Sequence, residues 1–219
     1  MIDSWLKKIE KEGKPDEWEV KKLLTSIGIK VPEGFVIDPQ EVIPSVQLNY
    51  PVVVKVCDSA ILHKTEVGGV ALNVFEENYK EAVKKMQAKF PQSRIMVEEM
   101  SSYSGMEFIL GGLVDPTFGK AIMIGAGGIL TELYKDVTFR LVPLEKEEAL
   151  RMLKELTVSP VLQGGYRGSQ MDIDELAEII VSVGDLITKL GPHFSQLDIN
   201  PLVYTKDGWK ALDGMLVLN

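Results

Sequence analysis

One cysteine, Cys57, and two histidines, His63 and His193, are present in 219 residues. A single thiol excludes an intrachain disulfide and any cysteine-built metal cluster. No apolar run approaches the ~20 residues needed to cross a bilayer. The start, Met1-Ile-Asp-Ser-Trp-Leu-Lys-Lys8, becomes charged at once and lacks the apolar stretch of a signal peptide. Positive charge is also short: a net charge of −8 argues against broad binding to nucleic acid or anionic membranes. From these absences the chain is expected to be cytoplasmic. No Gly-Lys-Ser/Thr occurs, so a Walker A loop is excluded, and no internal repeat or low-complexity tract stands out.

What is present is a mixed pattern of short apolar strands and amphipathic helices, which predicts an α+β or mixed α/β class with two lobes. Residues 1–14 read as short, charged and loosely held. Pro15-Asp-Glu-Trp18 opens a helix with Val20, Leu23, Leu24 and Ile27 on one face, and Gly28 stops it. Strands are expected at 34–37, 51–56, 67–75, 95–100, 106–114, 120–124 and 137–142. Asn78-Tyr-Lys-Glu81 resembles a capping box for a helix reaching Phe90. Further helices are expected at 145–156 and 172–190, and His193 at the end of the latter reads as ordinary C-terminal capping. Residues 50–98 form the smaller lobe in this reading, with 1–49 and 99–219 in the larger.

The run from Val52 to Asn73 places Lys55, His63 and the pair Gly68-Gly69 between two apolar strands. A lysine on a strand can anchor phosphate oxygens, and an imidazole on a connection can carry a phosphoryl group. The glycines free the backbone for close approach or movement. On the residues alone His63 reads as a surface or structural histidine before a functional one, and Cys57 as a buried spectator. Lys55, Lys64 and Arg140 could together make a local basic pocket.

At the other end, Asp207-Gly208 is a hairpin signal between 196–204 and 209–217. With that turn, Leu202 pairs with Asp213 and Asn200 with Met215. Asp198, Asn200 and Asp213 then face one way, with Asn200 and Asp213 diagonal neighbours at roughly 7–8 Å. Oxygen side chains so spaced suit Mg²⁺ shared with substrate phosphates, or simply a solvated turn. Pro201 is expected to disturb the ladder. Gly125-Ala-Gly-Gly-Ile-Leu-Thr-Glu132 after an apolar strand suits a backbone phosphate cradle or a plain strand-end turn. Gly164-Gly-Tyr-Arg-Gly168 reads as a loop, with Arg167 offered to an anion.

Four segments in order carry a resemblance. They are Pro51-Val-Val-Val-Lys55 with Ile61-Leu-His-Lys-Thr-Glu-Val-Gly-Gly-Val70; Gly105-Met-Glu-Phe-Ile-Leu-Gly111 with Asp115-Pro-Thr-Phe-Gly119; Gly125-Ala-Gly-Gly-Ile129 through Lys135-Asp-Val-Thr-Phe-Arg-Leu-Val-Pro143; and Asp198-Ile-Asn-Pro-Leu-Val203. Together they resemble the ATP-grasp domain of nucleoside-diphosphate-forming acyl-CoA synthetases, in the form of the separate β subunit of the ADP-forming acetyl-CoA enzymes, related to the succinyl-CoA synthetase β subunit.

The resemblance implies an ATP-grasp fold, two α/β lobes clasping ATP or ADP with Mg²⁺. It assigns Lys55 to the nucleotide phosphates, Glu98 or Glu99 to adenine and ribose, and Val97 and Met100 to the adenine wall. It makes Glu107 an acidic nucleotide-site residue, Asn200 and Asp213 the metal ligands, and His63 the acceptor of a phosphoryl group from a partner phosphohistidine. Lys64, Glu66, Gly127, Gly128 and Arg140 are candidate phosphate or loop contacts, with Glu66 placed to fix the His63 tautomer. The implied partner is an α subunit with the CoA-binding and ligase domains, in an α₂β₂ assembly. Two other classes remain open: an ATP-grasp carboxylate ligase without a histidine carrier, and a nucleotide-binding regulatory subunit.

Overall fold

The computed structural model describes residues 2–12, 14–45, 47–61, 63–128, 136–165 and 170–219. The chain divides into two compact units. The first comprises Met1–Pro15, Val20–Val31 and Tyr103–Asn219; the second comprises Asp16–Glu19 and Pro32–Ser102. Among the described residues no helix is long and apolar enough to cross a membrane.

The second unit is a four-stranded antiparallel sheet in the order β1-β4-β2-β3, formed by β1 (Gly34–Ile37), β2 (Val52–Cys57), β3 (Val70–Val74) and β4 (Arg94–Glu99). Residues 32–49, assigned from sequence to the larger lobe, belong here, because β1 pairs with β4 along its whole length. Helix α3 (Tyr79–Lys89) packs Tyr79, Val83 and Met86 against Val52, Val54, Val56, Ile95 and Val97. The expected capping box at Asn78 does not form. Asn78 Oδ1 instead accepts the N–H of Phe75, and a 3₁₀ turn at Glu76–Asn78 leads into the helix.

The first unit is built on a six-stranded antiparallel sheet: β5 (Tyr103–Asp115), β6 (Gly119–Ala126), β7 (Val137–Leu141), β8 (Phe194–Thr205), β9 (Gly208–Ala211) and β10 (Gly214–Leu218). Its order is β10-β8-β5-β6-β7, with β9 also on β8. Helices α4 (Lys146–Glu155), α5 (Ser159–Leu162) and α6 (Ile173–Lys189) bury one face in a core containing Phe108, Leu110, Ile122, Ile124, Leu186, Ile187 and Trp209. Asp172 caps α6 by accepting the N–H of Glu175. At the other end Lys120 donates to the carbonyl of Ile187, in α6, and to that of Gly191, just past it.

Two expectations for the N-terminus change. Residues 2–12 form a helix, α1 (Ile2–Glu12), because Trp5, Leu6 and Ile9 recur at helical spacing; Leu6 and Ile9 are buried. Helix α2 (Glu17–Ser26) starts two residues after Pro15, with the Asp16 carboxylate accepting the Glu19 N–H. The first turn of α2 belongs to the second unit and the rest to the first.

Candidate functional site

In the second unit, strand alternation sorts the candidate residues onto two faces. Val53 opposes Glu98 and Lys55 opposes Met96, so these four share the face turned away from α3. Lys55 Nζ lies 2.6 Å from Glu98 Oε1 and 3.0 Å from Glu17 Oε1, and all three residues are buried. A buried ammonium is tolerable only when carboxylates offset its lost hydration. Lys64 Nζ lies 3.0 Å from the other oxygen of Glu17. The basic pocket expected from Lys55 and Lys64 is therefore a charge-balanced cluster, completed by two acids. Glu17 was not found from sequence, since an acid in a first helical turn reads as a dipole partner.

Alternation also separates Glu98 from Glu99. Only Glu98 shares the Lys55 face. Glu99 accepts both the backbone N–H and the side-chain amide of Asn49, each at 2.8 Å. Val97 corrects an expectation: its side chain is fully buried in the core facing α3, so it cannot line the face that carries Lys55. Met100 is half-buried at the end of the strand, its N–H donating to the Pro51 carbonyl.

His63 lies on the turn-rich connection from β2 to β3, with its side chain 75% exposed. Glu66 Oε1 stands 4.0 Å from its Nδ1, outside hydrogen-bond reach, so Glu66 does not fix the tautomer here. The glycine pair after it has a packing role. Gly69 donates to Lys64 O at 2.6 Å and accepts from Val56 N at 2.8 Å, and a Cβ on Gly69 would stand 2.6 Å from Val56 Cγ1. Cys57 is buried and inert, burial foremost and then the charge of Asp16 pushing its thiol upward.

In the first unit, the hairpin turns one residue earlier than expected. The turn is centred on Lys206-Asp207, and Gly208 takes a positive φ of 97° opposite Thr205. The register moves by two, which preserves the faces: Leu202 pairs with Ala211, Met215 with Asp198, and Asn200 N donates to Asp213 O at 3.3 Å. Asn200 and Asp213 are thus directly opposite rather than diagonal. Pro201 does disturb the ladder: β8 carries one extra residue against β5 between the pairs Phe108–Leu202 and Leu110–Ile199.

Asp198 Oδ1 is buried with no hydrogen-bond partner among the described residues. Burial foremost, and then the charge of Asp213, raise the Asp198 carboxyl above its ordinary range. Two carboxylates that repel each other, one with an orphaned oxygen, beside an amide oxygen are a donor set that fits a hard divalent cation. Asp198, Asn200 and Asp213 are the residues that would hold it. Among the described residues no three His, Cys, Asp or Glu side chains gather as a group that could hold a metal ion.

Glu107 on β5 accepts a hydrogen bond from Tyr103 Oη, and its carbonyl accepts from Gly127 N at 2.6 Å. Burial foremost, with the bonded Glu107, pushes the Tyr103 phenol up to about 12. Gly127 and Gly128 therefore lie against Glu107, while the rest of the expected cradle, 129–132, is outside the described residues, as is Arg167. Arg140 corrects an expectation. Its guanidinium is forked between Glu148 and Glu155 of α4, at 2.5 Å each, on the helix-covered face of the sheet. Strand parity puts it there, opposite Ile122 of the core that the helices cover.

A family model described as an ATP-grasp domain matches residues 8–218. The chain is 36% identical to the acetate–CoA ligase [ADP-forming] I subunit beta of Pyrococcus furiosus, over 97% of this chain and 96% of that one. It is 33% identical to the acetate–CoA ligase [ADP-forming] I of Archaeoglobus fulgidus, over 97% of this chain but only 32% of that protein. Among solved structures it is similar to acetyl-coenzyme A synthetase 1 of Ca. Korarchaeum cryptofilum in complex with coenzyme A and Mg-AMPPCP, with a phosphohistidine segment pointing towards the nucleotide binding site. There the TM-score is 0.82 at 28% identity, covering 99% of both chains.

Proposed function

The chain belongs to the ATP-grasp domain family, and from that premise we propose that it is the nucleotide-binding β subunit of an ADP-forming acyl-CoA synthetase of the acetyl-CoA type. The reaction is acyl-CoA + ADP + phosphate giving acid + CoA + ATP. The end-to-end match to a separate β subunit, against a third of the Archaeoglobus protein, supports a division of labour. An α subunit supplies the CoA-binding and ligase parts, in an α₂β₂ assembly in the cytoplasm.

The observation that carries this reading is the exposure of His63, on the connection that follows the strand bearing Lys55. A histidine packed in a core could not collect cargo from another protein. On the α subunit, phosphate displaces CoA to give an acyl phosphate, whose phosphoryl group passes to a partner histidine and releases the acid. A nitrogen of the neutral His63 imidazole then attacks that phosphorus, forming one N–P bond as the partner's breaks. An oxygen of the ADP terminal phosphate attacks next, and His63 leaves with the N–P electron pair, giving ATP. Holding the group covalently keeps it from water between two sites.

Lys55 offsets charge developing on the phosphate oxygens, and Glu98 fixes that lysine and borders the nucleotide. Met100 and the Val97 backbone border the adenine, and Glu107, Gly127 and Gly128 are further nucleotide contacts in this reading. Asp198, Asn200 and Asp213 would hold Mg²⁺, which when bound neutralises phosphate charge.

The test is transfer of label. With acetyl-CoA, ³²P-phosphate and the α subunit, the wild-type chain becomes labelled and the His63→Ala chain does not. ADP-dependent turnover falls by roughly three orders of magnitude or more in that variant. Turnover that survives in His63→Ala would instead point to a ligase without a histidine carrier.

A further inference from the structure

The first turn of α2 sends one carboxylate to two lysines with different duties. Glu17 Oε1 is 3.0 Å from Lys55 Nζ, and Glu17 Oε2 is 3.0 Å from Lys64 Nζ. Lys55 sits in a strand buried at every position and has Glu98 closer still, at 2.6 Å. It therefore does not depend on Glu17 for a counter-charge. Lys64 lies in no strand; it follows His63 on the connection between β2 and β3.

Neighbouring side chains on that connection are treated in opposite ways. The Lys64 side chain is 12% exposed and that of His63 is 75% exposed. Lys64 is held at both ends, its ammonium by Glu17 and its carbonyl by the Gly69 N–H at 2.6 Å. A buried ion pair is a weak source of net stability, but it restricts where its two partners can be. Fixing Lys64 inward fixes the adjoining backbone and the direction in which His63 projects.

We propose that Glu17 is a positioning residue, latching the His63 connection to the Lys55 strand through Lys64. The latch presents the imidazole on the nucleotide side of the transfer. This rests on the carrier reading of His63. It also reassigns Lys64 from phosphate contact to anchor.

The test uses the full chain assembled with its α subunit and Mg-[γ-³²P]ATP, the reverse of the synthetic step. The His63 nitrogen attacks the γ-phosphorus, an N–P bond forms, the bridging P–O bond breaks and ADP departs. Lys64→Met keeps the bulk and removes the charge; Lys64→Arg restores it. Single-turnover labelling of His63 is expected to slow by roughly tenfold or more in Lys64→Met. Amides 67–69 exchange faster with deuterium, and Lys64→Arg recovers most of the rate. The Kd for Mg-ADP by calorimetry stays within about twofold, which also reports that the variant is folded. Labelling and exchange equal to wild type overturn the latch. Mg-ADP binding weakened in step with labelling also overturns it, because Lys64 is then a phosphate ligand. If wild type labels and His63→Ala does not, a failure at Lys64 leaves the carrier reading intact. If wild type takes no label, both fall.

Discussion

Asp198 shows how a single side chain reports on what its surroundings lack. Its carboxyl binds a proton more tightly in the folded chain than in the unfolded one, so its ionisation costs stability. That cost is absent below the unfolded value near ~3.9 and fully present above the raised folded value. Asp198→Asn is therefore expected to melt at a higher temperature than wild type at neutral pH with divalent cations chelated. The advantage should vanish as the pH falls below the ordinary aspartate range. Adding Mg²⁺ should close the gap from the other side, since ligand binding stabilises only the chain with an intact donor set. Thermal melts across pH check all three; an Asn variant less stable than wild type at neutral pH without metal would refute the account. The same scale shows what residue type alone cannot reveal. Arg140 and Lys55 are both cations on strands, and each is ion-paired with two glutamates, Glu148 and Glu155 for one, Glu17 and Glu98 for the other.

At the scale of elements, the connection from β2 to β3 is held by backbone contacts that leave no room for a side chain at Gly69. Val56 Cγ1 and Lys64 O would stand 2.6 and 3.0 Å from an added Cβ. Gly69→Ala is expected to destabilise the chain by about 1–3 kcal/mol, since overpacking forces neighbours off their rotamers. It should also slow His63 labelling by displacing the connection. Urea denaturation with the labelling assay checks both; an alanine accommodated at no cost would show that the connection adapts. Element positions were largely legible because periodicity survives in short windows: β1 spans the residues expected, and α3, β4, β7 and α6 differ from expectation by a residue or so. The exceptions have local causes. Helix α1 was hidden by its charged residues, although its apolar spacing is helical. The hairpin register moved because Gly208 takes the left-handed position after the turn instead of within it.

At the scale of the molecule, the two units differ in core. The first buries aliphatic and aromatic side chains from α1, α2, α4, α6 and the six-stranded sheet, whereas the second relies on one face of a four-stranded sheet and α3. Local opening follows buried apolar contact. Amides of β2 and β4 are thus expected to exchange faster than those of β5 and β8 in the chain without nucleotide. Equal protection across both sheets in hydrogen-exchange mass spectrometry would contradict that ranking.

The amino-acid sequence by itself determined the mixed strand and helix order, the family through its ordered motifs, and the common face of Asp198, Asn200 and Asp213, which survives a two-residue register shift because strand parity has period two. Tertiary structure alone decided which charges meet. Glu17 reaches Lys55 across 38 residues, Arg140 turns to α4, Val97 turns into the core, and Glu98 rather than Glu99 joins the lysine. Those outcomes depend on which strand pairs with which and on what covers each face. Neither is encoded in any short window of the chain, because a side chain's electrostatic partners are set by packing in space rather than by separation in sequence.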